Sequence, residues 1–104
     1  MTRALITGAA GFLARHLAVE LRTHGVEVWG LDARAITTDP CCRIADVTDP
    51  TAVGQVVAAV RPDLVFHLAG GRSPDHAAMH ALHVNGTTAV LSAVERFASS
   101  ARVS

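Results

Sequence analysis

An α/β fold built on a parallel sheet is what this 104-residue sequence predicts, and three observations lead there. Short apolar runs alternate with segments of helical period, the alternation from which parallel sheets are built. Gly8, Gly25 and Gly70-Gly71 fall where strands or helices stop. One run, Asp63-Leu64-Val65-Phe66-His67-Leu68, is nearly continuous in apolar residues, as a strand covered on both faces should be.

The elements follow in order. Leu5-Ile6-Thr7 closes a first buried strand that begins near Thr2 or Arg3 and stops at Gly8. From Gly11 the period changes. Phe12, Leu13, Leu17, Val19 and Leu21 mix with Arg15, His16, Glu20 and Arg22 as in an amphipathic helix, and Gly25 after His24 is its stop. Val26 to Leu31 is the second strand, with Asp32 at its end. Residues 33–40 are polar, end in Asp39-Pro40 and predict a loop. Arg43-Ile44-Ala45 is a short third strand. Asp49-Pro50 opens a helix, because Asp can cap and Pro suits the first helical position. That helix carries Val53, Val56, Val57 and Val60 on one face and ends before Pro62. The fourth strand, Asp63 to Leu68, ends at Gly70-Gly71. Residues from Asp75 to Ser99 are helical in pattern, with a break expected near Gly86. Right-handed crossovers leave few topologies for this order. The simplest is a Rossmann-like sheet with helices on both faces, about four strands in spatial order 3-2-1-4, forming one domain over residues 1–104.

Composition excludes several classes. Half the residues are hydrophobic, 17% are charged and the formal net charge is zero. Such a chain is too apolar for intrinsic disorder, and scattered arginines give no footprint for nucleic acid or anionic membrane. No apolar run approaches the roughly 20 residues that span a bilayer. Cys41 and Cys42 are adjacent, which disfavours a disulfide framework. With no export signal, a reduced, cytoplasmic setting is expected. All nine basic residues are arginine, and there is neither lysine nor tyrosine. Any mechanism needing a phenolate or a side-chain amine therefore lies beyond these residues.

The motif richest in chemistry is Thr7-Gly8-Ala9-Ala10-Gly11-Phe12-Leu13-Ala14, between the first strand and the first helix. There a dinucleotide's pyrophosphate docks on a helix N-terminus. Gly8 allows the sharp turn, Gly11 lets phosphate approach the backbone, and Ala14 is small enough for close helix–sheet packing. Asp32 lies a little beyond the spacing of about 20 residues at which an acid binds the adenosine ribose. Its charge repels a 2′-phosphate and so favours NAD over NADP, although Arg34, two residues on, could accommodate that phosphate.

These blocks together with Ala45-Asp46-Val47-Thr48-Asp49, Phe66-His67-Leu68-Ala69-Gly70 and Gly86-Thr87 stand in a familiar order. In that order the sequence resembles the N-terminal part of the NAD-dependent epimerase/dehydratase family, the extended short-chain dehydrogenase/reductases, over essentially its whole length. The resemblance implies an NAD(P)-binding Rossmann-like domain, incomplete relative to the family, many of whose members act on nucleotide sugars. It assigns Gly8, Ala10, Gly11, Phe12 and Leu13 to the pyrophosphate and Asp32 to the ribose. It puts Asp46 and Val47 beside the adenine, the Asp46 carboxylate accepting from the amino group. Leu68, Ala69 and Gly70 would line the inner face near the nicotinamide end. Ala14 departs from the family's usual glycine, and His83 stands where an asparagine is usual. The family's catalytic Ser or Thr and its Tyr-x-x-x-Lys pair have no counterpart here, since the chain reaches Ser104 about where a fifth strand should begin.

Three functional classes follow: the cofactor-binding part of a hydride-transfer oxidoreductase, a non-catalytic dinucleotide-binding or sensing module, or an assembly element. In the last, the fourth strand is an open edge that a second copy or a complementing chain could pair with, and the last helix, with Val90, Leu91, Val94 and Phe97, offers another contact. His76, His80 and His83 share one helical face with Asp75 nearby, but without a glutamate between them they are expected to be ordinary helix residues rather than metal ligands. His67 is expected to be a satisfied core polar group, and Arg72 and Ser73 to be solvated loop.

Overall fold

The computed structural model describes residues 1–34, 41–68 and 76–104, and of 76–83 only the backbone. In chain order these form β1 (Arg3–Thr7), α1 (Phe12–Thr23), β2 (Glu27–Asp32), β3 (Cys42–Ile44), α2 (Pro50–Val60), β4 (Leu64–His67), α3 (His76–Phe97) and β5 (Arg102–Val103). Every strand pair is parallel, and the order across the sheet is β3-β2-β1-β4-β5. This is the expected 3-2-1-4 arrangement with one strand added.

Pleating sends alternate residues of the central β1 to opposite faces. Leu5 enters the larger core with Leu31, Val65, the α2 valines and Ala89, Val90, Ala93 and Val94 of α3. Ile6 enters a smaller core with Ala14 and Val28 beneath α1. Helices thus lie on both faces, α2 and α3 on one and α1 on the other. Burying each valine stabilises the fold by about 1.5 kcal/mol or more.

The buried stripe of α1 differs from the expected one. Ala14, Leu17, Ala18 and Leu21, at helical spacing, face the sheet. Phe12, Leu13 and Val19 point to solvent, Phe12 with 81% of its surface exposed. The helix ends where His24 donates its N–H to Leu21, followed by Gly25 at φ 78°. In α2 the expectation holds residue by residue: Asp49 Oδ1 accepts from Thr51 N (3.1 Å) and Ala52 N (3.3 Å), and Val53, Val56, Val57 and Val60 are buried. The helix stops at Arg61, which takes the left-handed conformation (φ 51°) without being glycine.

Three further expectations change. First, α3 runs unbroken through Gly86 for 22 residues. A Cβ at position 86 would stand 3.0 Å from Val47 Cγ1, so glycine serves the close approach of α3 to the turn after β3 rather than a bend. Second, β4 is not fully covered on both faces. Only Val65 is buried, while Leu64, Phe66 and His67 are half-buried; Leu64 and Phe66 share the face of α1, which lies mainly over β1 and β2. Third, β4 is not the open edge. Arg102 N donates to Asp63 O (3.0 Å), Ser104 N to Val65 O (2.8 Å) and His67 N to Ser104 O (2.7 Å). A turn through Ala98 and Ala101 brings the chain back, and β5 satisfies backbone groups that β4 would otherwise leave unpaired.

At the other edge, Arg43 of β3 stacks 5.2 Å above the Trp29 ring of β2, and Trp29 Nε1 donates to Glu27 (3.2 Å). Cys41 and Cys42 are half-buried thiols. Among the described residues no helix is long and apolar enough to cross a membrane.

Candidate functional site

The C-terminal ends of β1, β2, β3 and β4 carry every described residue that the sequence assigned to a cofactor. β1 leads directly into Gly8, whose φ of 70° is a conformation that side-chain-bearing residues rarely adopt. The turn closes through Gly11 N donating to Gly8 O (3.0 Å), and a Cβ on Gly11 would press on that same carbonyl at 3.2 Å. Ala9 N donates to Leu31 O (3.2 Å), pinning the turn to β2.

Behind the turn, α1 begins at Gly11, with no side-chain cap among the described residues and no acidic residue in its first turn. Among the described residues no side chain caps the leading N–H groups at the positive end of its dipole, and the Asp32 carboxylate is bonded one residue before them, at Ala10 N. In α2 the Asp49 carboxylate is such a cap. The exposed side chains of Phe12 and Leu13 leave their main chain as the part that could meet a phosphate. Ala14 is 2% exposed between Ile6 and Val28, which confirms why a small residue is needed there.

Asp32 is 7% exposed, and both carboxylate oxygens are engaged. Oδ2 accepts from Ala10 N (2.9 Å), while Oδ1 accepts from Arg34 N (2.8 Å) and faces the Arg34 guanidinium at 3.4 Å. The Ala10 N–H therefore serves the acid rather than an incoming phosphate. Oδ2 keeps a second acceptor position for a hydroxyl. The Asp32 carbonyl accepts from Ala45 N (3.0 Å), which sets Asp46 one residue further along the same rim.

Asp46 is exposed. Its Oδ1 accepts from the Thr48 hydroxyl (2.7 Å) and the Thr48 N–H (2.9 Å), and these two bonds hold its carboxyl below the ordinary aspartate range. Oδ2 has no partner among the described residues. Val47 points the other way, buried against α3, so any outward contact is through its main chain. Leu68 closes the rim, its N–H donating to Thr7 O (3.3 Å). Ala69, Gly70, Arg72, Ser73 and Asp75 lie outside the described residues, as do the side chains of His76, His80 and His83 and most of the loop at 33–40. Among the described residues no group of three His, Cys, Asp or Glu could hold a metal ion.

Two contributors escaped sequence reasoning. A Cβ at Gly30 would stand 2.6 Å from Ala9 Cβ, so this strand glycine makes room for the turn. A glycine inside a strand pattern is the signal that could have found it. Thr7, fully buried, shares a 2.7 Å hydrogen bond with His67 Nδ1, so His67 is satisfied as expected but is half-buried rather than a core residue.

A glycine turn, a helix start with no side-chain cap among the described residues and an acid closing the second strand stand together where the sheet order of this Rossmann-like fold reverses. Comparison with known proteins agrees. The model of the NAD dependent epimerase/dehydratase family matches residues 4–103, and the chain belongs to that family. It is 35% identical over 83 residues to the UDP-glucose 4-epimerase of Bifidobacterium longum, a match covering 67% of this chain and 24% of that protein. It superposes on the Thermus thermophilus UDP-glucose 4-epimerase solved with NAD at a TM-score of 0.82 and 26% identity, covering 92% of this chain and 34% of the other. An Agrobacterium tumefaciens short-chain dehydrogenase/reductase with bound NAD gives 0.81 at 29% identity, covering 96% of this chain and 30% of the other. The chain thus spans about a quarter to a third of these relatives.

Proposed function

We propose that this chain binds NAD across the C-terminal ends of β1, β2 and β4, as the cofactor-holding part of an epimerase/dehydratase-like oxidoreductase. The observation that carries the reading is the start of α1 behind the Gly8–Gly11 turn, with no side-chain cap among the described residues and with the Asp32 carboxylate bonded to that turn through Ala10. The residues fit the cofactor: the first-turn N–H groups would hold the pyrophosphate, Asp32 Oδ2 a ribose hydroxyl and Asp46 Oδ2 the adenine amino group. Leu68, Ala69 and Gly70 would line the nicotinamide side. The Asp32 charge supports NAD over NADP. Bound NAD supplies reversible hydride transfer; this chain's residues orient it.

The whole protein would act on a nucleotide sugar or related small molecule, a reading supported by the UDP-glucose 4-epimerases among its relatives. We assign residues 1–104 to one domain, incomplete relative to the family, and place it in the cytoplasm, which suits two reduced thiols. The absence of tyrosine and lysine favours a second reading for the chain alone, that of a dinucleotide-binding module without turnover. Calorimetric titration tests both. NAD⁺ should bind and NADP⁺ should bind more weakly; no binding of either at millimolar concentration would overturn both readings.

A further inference from the structure

Asp46 stands on a backbone fixed from both sides. Ala45 N before it donates to Asp32 O (3.0 Å), and Asp49 N after it donates to Asp46 O (3.0 Å). Val47 between these anchors is buried, with 7% of its surface exposed. The freedom that remains lies in the Asp46 side chain, which is exposed. Thr48 removes it. Its N–H donates to Asp46 Oδ1 at 2.9 Å, and its hydroxyl donates to the same oxygen at 2.7 Å. The N–H alone closes the turn that an aspartate makes with the residue two positions on. The hydroxyl is a second anchor that the turn does not require. Two donors on Oδ1 also favour the ionised carboxylate, which can only accept. Turning that carboxylate would break both bonds, so Oδ2 is left on the rim beyond β3 as an acceptor held in one place.

We infer that Thr48 is a positioning residue that makes the site selective for a purine carrying an amino group at position 6 over one carrying a carbonyl there. The inference rests on the proposed contact between Asp46 and the adenine amino group. A carboxylate held in place bonds the amino group and repels a carbonyl oxygen, from which it cannot turn away. Anchored by the Thr48 N–H alone, it swings aside more readily, which weakens the attraction and relieves the repulsion.

The test is calorimetric titration of the 104-residue chain with NAD⁺ and with deamino-NAD⁺, which carries hypoxanthine in place of adenine. A charged hydrogen bond made with one base and lost with the other should make the parent prefer NAD⁺ by about tenfold or more. Thr48→Val, in which the N–H anchor stays, should cut that preference to about threefold. Thr48→Ser, which keeps the hydroxyl, should retain it. In Asp46→Ala the preference should disappear, and adding Thr48→Val to Asp46→Ala should change it no further, because Thr48 acts through that carboxylate. Should Thr48→Val fail to fold, Thr48→Ala carries the same comparison. An unchanged preference in Thr48→Val, an equal loss of both dinucleotides included, would overturn the inference and leave the Asp46 contact standing. So would a Thr48→Ser variant that loses as much preference as Thr48→Val. A parent that binds both dinucleotides alike, or an Asp46→Ala that keeps the preference, refutes the Asp46 contact and the inference with it. A parent that binds neither refutes the proposed cofactor.

Discussion

The Asp32 carboxylate joins two segments, the turn through Ala10 and the start of the next loop through Arg34, and under the proposed function Oδ2 would also accept from a ribose hydroxyl. Replacing it with alanine should weaken NAD⁺ binding by about 1–3 kcal/mol, the loss expected for a charged hydrogen-bond partner, as measured by calorimetry. Asp46 offers a separate check. Its carboxyl is lowered first by the Thr48 hydroxyl and then by the Thr48 N–H. A carboxyl lowered in the folded state contributes stability that is present above its ordinary range and lost as pH falls through the lowered value. In Thr48→Val the Asp46 titration followed by NMR should move upward toward the ordinary aspartate value. An unmoved midpoint would show that the hydroxyl is not the principal cause.

At the scale of elements, the two helix starts separate stability from binding. Asp49→Ala removes the cap of α2 and should cost about 1 kcal/mol in urea unfolding. NAD⁺ affinity should fall less than in Asp32→Ala, because the Asp49 side chain is engaged with the Thr51 and Ala52 amides of α2, although its N–H donates to Asp46 O (3.0 Å) at the edge of the site. The same contrast explains what the sequence disclosed. Asp49-Pro50 and the four valines of α2 are local signals, and they were legible. So were the Gly8–Gly11 turn and Asp32, because a motif of fixed spacing encodes their geometry. The buried face of α1 was less so: Phe12 and Leu13 are apolar yet exposed, since the phase of the helix over the sheet depends on tertiary packing. Gly86 and Gly30 were misread or missed for a related reason. Each is small because another element comes close, Val47 in one case and Ala9 in the other, and such approaches leave no local trace. The two residues of β5 are too few to show any period.

Across the whole molecule the two faces are unequal. Among the described residues thirteen buried ones form the core under α2 and α3, and three form the one under α1. Yet the chain reaches a radius of gyration of 12.8 Å, close to the roughly 13 Å expected of a compact domain this size. β5 contributes by sealing the side of β4. Hydrogen exchange should therefore find the Arg102 and Ser104 amides protected and the Val103 amide, which alternation turns outward, exchanging freely. Uniformly fast exchange over all three would show that β5 does not pair in solution.

The Trp29 stack at the far edge has an optical consequence. It is the sole indole in a chain without tyrosine, so intrinsic emission arises from a single site between Arg43 and Glu27. A reduced nicotinamide absorbs where indole emits, and the molecule is only 40 Å along its longest axis. In the proposed site NADH would quench Trp29, with the nicotinamide lighting up in return, which would make a built-in reporter of occupancy that needs no label.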